Sequence, residues 1–162
     1  MTNMTRRKFI GGSVASMGLL LATAGSINTA AAQNSEVIEL TQTYCQFIES
    51  ENETDHKFDA ASASDCEAIN DKTGVDRLAQ SKTIELKPGS YTFRVTNRDV
   101  DHSLGFYLRG DGLVNKARLP KVSGGGLTKG VTKDYNITLK PGEYVYSCPL
   151  NPTIDYKLIV SG

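Results

Sequence analysis

From residue 81 onward, apolar and polar residues alternate along short segments that are separated by glycine and proline. The segments KTIELKPGSYTFRVTN and YNITLKPGEYVYSC share a Lys-Pro-Gly turn between two alternating runs. Proline fixes φ at the first central position and glycine supplies a positive φ at the second, which is typical of a type II turn. Together with SLGFYLRG and DYKLIVSG, the pattern predicts at least six short strands. Such regular strands and turns favour an all-β antiparallel sandwich or barrel.

Residues 33–80 lack this regularity. The stretch VIELTQTYCQFIE could form a strand or a short helix, and SENETDHKFDAASASD has the composition of a loop. The stretch SDCEAINDKTGVDRLAQ starts with a capping residue and continues with apolar residues at helical spacing. We therefore expect one or two short helices in this part of the chain.

The glycine-rich stretch LPKVSGGGLTKG lies among the predicted strands. It lacks the spacing of a phosphate-binding loop, and no helical pattern follows it. The composition predicts a flexible connection.

The first 32 residues resemble an export signal. Arg6 and Arg7 precede the modest apolar run GGSVASMGLLLATAG, and NTAAAQ offers a small-residue cleavage site after Ala32. This arrangement is typical of a twin-arginine (Tat) signal peptide. The apolar core is well short of the ~20 residues that span a bilayer, so we favour a removed signal over an anchor helix. The mature chain would start at residue 33, have no membrane span and be periplasmic or secreted.

Charge divides the mature chain into two regions. Residues 33–80 hold 11 acidic and three basic residues, whereas residues 81–162 hold seven acidic and 12 basic residues. We expect an acidic N-terminal extension and a basic β-domain that either pack together or face different partners. The formal net charge of the whole chain is zero, which gives no indication of a nucleic-acid partner.

The three cysteines of an exported chain suggest a disulfide. Cys45 and Cys66 flank the acidic, irregular segment, whereas Cys148 lies far away at the end of a predicted strand. We predict that Cys45 pairs with Cys66, which would stabilise the fold by about 3 kcal/mol through loop closure. Cys148 would then be the odd thiol. The other two pairings stay open at the level of the sequence.

His102 and Cys148 are the strongest candidate ligands of the β-domain. His102 stands between two predicted strands, and Cys148 ends the strand after the second Lys-Pro-Gly turn. A thiolate and an imidazole from two loops at one end of a sandwich are typical of copper sites. The segments YTFRVTNRDVDHSLGF and LKPGEYVYSCPLNPTIDYKLIV resemble the cupredoxins, the blue-copper family of plastocyanin and amicyanin.

This resemblance covers residues 82–162. It implies a cupredoxin-like Greek-key β-sandwich. This sandwich would follow the short, partly helical, disulfide-tied extension predicted above for residues 33–80. The resemblance also implies an exported protein that binds copper in electron transfer or copper handling. The partner would be a redox protein or a copper donor or acceptor, and the chain would be a monomer.

The resemblance places the ligands and also shows where this chain departs from the family. His102 falls on the first histidine and Cys148 on the cysteine, but Asn151 stands at the second histidine and Ile154 at the axial methionine. The axial ligand is weak and replaceable, whereas an amide oxygen binds copper poorly where imidazole binds well. The remaining thiolate and imidazole would suit Cu(I). We expect that Asn151→His with Ile154→Met would rebuild a blue site at a small folding cost.

Alternatives remain for this site. His56, in NETDHKFD, could supply the missing imidazole from the acidic extension. Cys148 could instead be the buried thiol of a metal-free module that uses the fold as a binding or accessory scaffold, or it could form a disulfide.

Enzymatic activity has the least support. The chain has two histidines and lacks Gly-x-Ser-x-Gly, HExxH and paired-cysteine zinc spacings. We therefore expect that the protein is not an enzyme.

Overall fold

Two β-sheets packed face to face form the fold of residues 35–162, the part of the chain that the computed structural model describes. In chain order the elements are β1 (Glu36–Thr43), β2 (Gln46–Phe47), α1 (Ala63–Gln80), β3 (Ile84–Leu86), β4 (Gly89–Asn97), β5 (Leu104–Gly110), α2 (Gly112–Arg118), β6 (Val122–Leu127), β7 (Thr132–Leu139), β8 (Gly142–Ser147) and β9 (Tyr156–Val160). The first sheet has the order β2-β1-β4-β7 and the second has the order β3-β9-β8-β5-β6. The predicted all-β sandwich is confirmed. The predicted export signal at residues 1–32 lies outside the described residues.

Strand β1 lies inside the first sheet, between β2 and β4. It pairs in parallel with β4 along its length, and the pairing ends with Gln42 opposite Asn97. Leu40 from β1 and Phe47 from β2 are buried in the main core. The segment 33–80, predicted as an extension, thus supplies two strands of the sandwich. A parallel pair of distant strands leaves no hairpin turn in the sequence, so the turn pattern does not reveal it.

The glycine-rich stretch forms strand β6, which pairs antiparallel with β5. The expectation of a flexible connection is therefore wrong. A Cβ atom at Gly124 would lie 2.9 Å from Cε1 of Tyr135, and one at Gly105 would lie 3.0 Å from the carbonyl oxygen of Gly124. The glycines are needed because the neighbouring strand and the Tyr135 ring approach the backbone too closely for a side chain.

Aromatic side chains fill the space between the sheets. Phe47 packs edge-on against Phe106, Tyr146 and Tyr156, with ring centroids 5.6 to 6.2 Å apart. Edge-on aromatic pairs stabilise a core beyond the effect of burial alone. Because Phe47 belongs to β2 and the other three belong to the second sheet, these contacts fix the N-terminal strands onto the opposite sheet.

Helix α1 is attached to the sandwich near both of its ends. Cys66, near its start, forms the predicted disulfide with Cys45, which follows β1. Arg77, near its end, forms a buried ion pair with Glu51, with Nε 3.0 Å from Oε2.

No helix within residues 35–162 is long and apolar enough to cross a membrane.

Candidate metal centre

His102 and Cys148 lie at the same end of the sandwich. Strand β5 starts at Leu104 and β8 ends at Ser147, and the two strands are antiparallel, with Tyr107 opposite Ser147. His102, two residues before β5, and Cys148, directly after β8, therefore lie at the same end of this sheet. We call this region, formed by residues 42–45, 97–105 and 148–154, the site end.

Cys148 is a free, buried thiol with two backbone N–H groups directed at its sulfur. The amides of Gly105 and Asn151 each donate to Sγ over 3.3 Å. Burial raises the pKa of Cys148, and these N–H donors offset part of that rise. The group is thus a protonated thiol near neutral pH, and its surroundings are suited to a thiolate that is paired with a cation.

The backbone of His102 is held by Asn97. The Asn97 side-chain NH2 donates to the carbonyl oxygens of Val100, His102 and Leu127, over 3.0, 3.3 and 2.9 Å. The ring of His102 lies beside that of Tyr44, with centroids 6.3 Å apart. Its Nε2 atom is buried and has no hydrogen-bond partner in the described part of the chain. A buried ring nitrogen without a partner is destabilising unless something binds it.

Asn151 has a structural role that the sequence does not indicate. The side chain is fully buried, its Nδ2 donates to the Thr43 carbonyl oxygen (3.0 Å), and its Oδ1 accepts from the Cys45 amide (3.3 Å). The same Oδ1 lies 3.1 Å from Sγ of Cys66, which carries no proton because it is in the disulfide. Asn151 therefore joins the 148–154 loop to the disulfide. A larger imidazole here would lose these contacts, so we now expect Asn151→His to cost more than the small folding penalty predicted from the sequence.

Helix α1 covers the rest of the loop. Asn70 donates through Nδ2 to the Pro152 carbonyl oxygen over 2.8 Å. Ile154 packs so closely on α1 that a Cβ atom at Gly74 would lie 3.0 Å from its Cγ2. The residue at the expected axial position thus contacts the helix, and the 149–154 segment is held from both sides.

His56 is engaged elsewhere. Its Nε2 lies 2.6 Å from Oε2 of Glu51, and its ring stacks on Phe58 with centroids 5.2 Å apart. Glu51 is also bound by Arg77 and by the Tyr156 hydroxyl. His56 therefore belongs to this ion-pair network rather than to the contacts of Cys148.

Two further polar residues at the site end were missed at the level of the sequence. Gln42 is fully buried, and its Nε2 donates to the Gly105 carbonyl oxygen over 2.9 Å. Among residues 35–162, neither its Oε1 nor the buried hydroxyl of Thr43 has a hydrogen-bond partner. The alternation in β1 could have revealed Gln42. It stands two positions after Leu40, so both side chains point into the core.

The unpartnered polar atoms of the described residues are concentrated here. Four buried side-chain nitrogen or oxygen atoms within residues 35–162 lack a hydrogen-bond partner. They belong to Gln42, Thr43, Asp99 and His102, and all four residues lie at the site end. Native proteins satisfy most buried polar groups with protein atoms or ordered water, so these four atoms are the polar groups of this end that need a partner.

The donor set does not fit a blue-copper centre, which needs two imidazoles and a thiolate. The described residues contain no group of three or more His, Cys, Asp or Glu side chains placed to hold a metal ion. Cys148 and His102 are the two strong donors at the site end. A thiolate and an imidazole fit Cu(I), which accepts soft ligands and low coordination numbers.

Comparisons with known proteins identify no family. No protein-family model and no curated protein matches the chain. Among solved structures, auracyanin B is 11% identical, with 79% of this chain and 90% of that chain covered and a TM-score of 0.49. Dithionite-reduced auracyanin from Roseiflexus castenholzii is 12% identical, with 79% and 98% covered and a TM-score of 0.47. An oxidized amicyanin variant is 16% identical, with 82% and 87% covered and a TM-score of 0.39. At these values, similarity to such structures assigns no function to this chain.

Proposed function

We propose that this chain is an exported protein that binds one copper ion as Cu(I) through Cys148 and His102, in copper handling or electron transfer. The observation that carries the proposal is the pairing of two unusual groups at one end of the sandwich. One is a buried thiol that accepts two backbone N–H bonds. The other is an imidazole whose buried Nε2 has no hydrogen-bond partner in the part of the chain that the structure describes.

Each residue would have a defined task. Cys148 would release its proton to solvent as its sulfur bonds the ion, and the amides of Gly105 and Asn151 would continue to donate to the sulfur. His102 would bind the ion through the lone pair of Nε2, with the ring proton on Nδ1. A bound copper ion would supply either a one-electron couple or a transferable cargo.

The composition of the site favours copper handling over repeated electron transfer. Cu(II) prefers further nitrogen or oxygen ligands, and Asn151, at the position of the second histidine, is committed to Thr43 and Cys45. The oxidised ion would therefore be poorly stabilised relative to Cu(I). The expected partner is a protein that delivers or receives Cu(I).

Export through the Tat pathway is part of the same proposal. Arg6 and Arg7 provide the sequence signal. The Cys45–Cys66 disulfide supports it, because structural disulfides persist mainly in oxidising compartments.

A second candidate is a metal-free binding or accessory module. The packing of the 148–154 loop favours it, since Asn151 is fully used in structural contacts and Ile154 packs on α1. In that case Cys148 would be a buried thiol without a ligand.

Titration of the reduced, purified mature protein with Cu(I), in competition with a chromophoric Cu(I) chelator, separates the two candidates. The first predicts one bound ion per chain, no binding in Cys148→Ser and weakened binding in His102→Ala. His56→Gln serves as the matched control and should bind as the unaltered protein does, because His56 contacts Glu51 and Phe58. An unaltered protein that takes no Cu(I) from the chelator would favour the metal-free module.

A further inference from the structure

We infer that Gln42, on β1, provides its amide oxygen as a weak third ligand of the ion held by Cys148 and His102. The inference rests on the proposed function and adds a donor from outside the two loops that carry the thiol and the imidazole.

The first support is the position of the Gln42 amide. Its Nε2 reaches across from the first sheet to the Gly105 carbonyl oxygen (2.9 Å), and the Gly105 amide donates to Cys148 Sγ (3.3 Å). A carbonyl oxygen accepts only from the NH2 side of the amide, which fixes the amide orientation. The Oε1 atom is therefore turned away from the Gly105 carbonyl oxygen.

The second support is that this oxygen has no partner. Gln42 is fully buried, and its Oε1 accepts no hydrogen bond from the described residues. The buried Nε2 of His102 also has no hydrogen-bond partner among residues 35–162. A cation can accept lone pairs from an amide oxygen and from a ring nitrogen at the same time.

The third support is that Gln42 is linked to both proposed ligands through one residue each. Its Cα is paired with that of Asn97, whose side chain donates to the His102 carbonyl oxygen. On the other side, Gly105 joins it to Cys148. The parallel pairing of β1 with β4 thus brings a third donor to the site end.

The chemistry of an amide oxygen defines what this ligand would do. It is a hard, weak donor, so it should contribute little to the binding of Cu(I) and more to the binding of a divalent ion. Gln42 would therefore reduce the preference of the site for Cu(I) without abolishing it.

The test uses Co(II), whose sulfur charge-transfer and d–d bands report the ligand set, together with Cu(I) as the reference. Gln42→Leu keeps the approximate volume and removes the oxygen, and it should weaken Co(II) binding about tenfold while it changes Cu(I) binding little. Gln42→Glu replaces the neutral oxygen by an anionic one and should strengthen Co(II) binding by a similar factor, with a larger rise of the melting temperature on Co(II) addition.

A purely structural role of Gln42 predicts different results. If Gln42 serves only to bond Gly105, both variants should lower the melting temperature of the ion-free protein, and Co(II) affinity and bands should be the same for Gln42→Glu as for the unaltered protein. That result would overturn the inference. Cu(I) binding through Cys148 and His102 is measured in parallel. Failure of the Gln42 inference alone would leave that Cu(I) binding intact, whereas failure of the proposed function would abolish it. Gln42→Glu keeps the test decisive if Gln42→Leu does not fold.

Discussion

The side-chain NH2 of Asn151 donates to the carbonyl oxygen of Thr43 over 3.0 Å, and this bond joins the loop after β8 to the end of β1. The position that resembles a missing copper ligand is thus occupied by a residue on which the local fold depends. Its contacts explain why the loop and the disulfide form one packed unit.

Replacement of Asn151 by histidine should destabilise the protein. The change removes two side-chain hydrogen bonds of a fully buried residue and adds volume, so we expect a loss of about 2–4 kcal/mol in the free energy of unfolding. Denaturant titration measures this loss. Asn136→His, on the exposed side of β7, is the matched control and should cost about 1 kcal/mol or less. Equal stability of the two variants would show that the Asn151 contacts contribute nothing.

The disulfide should both stabilise the fold and shield Cys148. Peptide mapping without reduction should recover Cys45 linked to Cys66, with Cys148 alkylated only after unfolding, because it is buried. The Cys45→Ala, Cys66→Ala double variant should lose about 3 kcal/mol and should expose Cys148 to faster alkylation in the folded state. An unchanged alkylation rate would mean that the disulfide does not help to order the loop that buries Cys148.

Acid should destabilise the protein through Glu51. Burial acts to raise the pKa of this carboxyl, but the hydrogen bonds from Arg77 and Tyr156 outweigh it and hold the pKa below its ordinary value. The stabilisation is therefore complete above the unfolded-state pKa of about 4.5 and is lost as the pH falls through the lower folded-state pKa.

Glu51→Gln tests this prediction. The variant should be less stable by about 3–5 kcal/mol at neutral pH, since it leaves Arg77 buried without its counter-charge, and it should lose part of the acid dependence. Asp134→Asn removes an exposed partner of Arg94 and should change stability little at any pH. The two variants should therefore differ both in stability at neutral pH and in the slope of stability below about pH 4.5. The same acid slope in Glu51→Gln as in the unaltered protein would contradict the assignment.

The binding of Cu(I) should depend on pH through Cys148. Burial raises the pKa of this thiol, so the ion-free protein holds a proton that binding must release. From pH 7 upward the apparent affinity should rise about tenfold per pH unit until the thiol pKa is reached. Parallel titrations at several pH values measure the slope. A flat profile would mean that the thiol is not a ligand.

The sequence predicted the sandwich because alternation marks strands with one buried face and Lys-Pro-Gly marks the turns between them. At β7 and β8 that turn joins strands of different sheets and forms no hairpin. It did not reveal that β1 completes the first sheet, because its parallel pairing with β4 depends on residues about 55 positions away, such as Gln42 and Asn97. The role of the glycines in β6 also depends on a distant residue, the ring of Tyr135.

The candidate site was predictable to a similar extent. His102 and Cys148 stand out by residue type and by their positions at strand ends, and the structure brings them to one end of the sandwich. The partners of Asn151 and the buried amide of Gln42 could not be deduced, because both depend on contacts between β1 and the loops. Whether a polar residue binds an ion or the backbone is decided by such contacts.

X-ray absorption at the copper edge of the Cu(I)-loaded mature protein tests the central proposal most directly. The proposal predicts one sulfur and one histidine-type nitrogen in the first coordination shell. It further predicts loss of the sulfur in Cys148→Ser and no change in the His56→Gln control. A first shell of nitrogen and oxygen alone in the unaltered protein would contradict the role of Cys148 as the copper ligand.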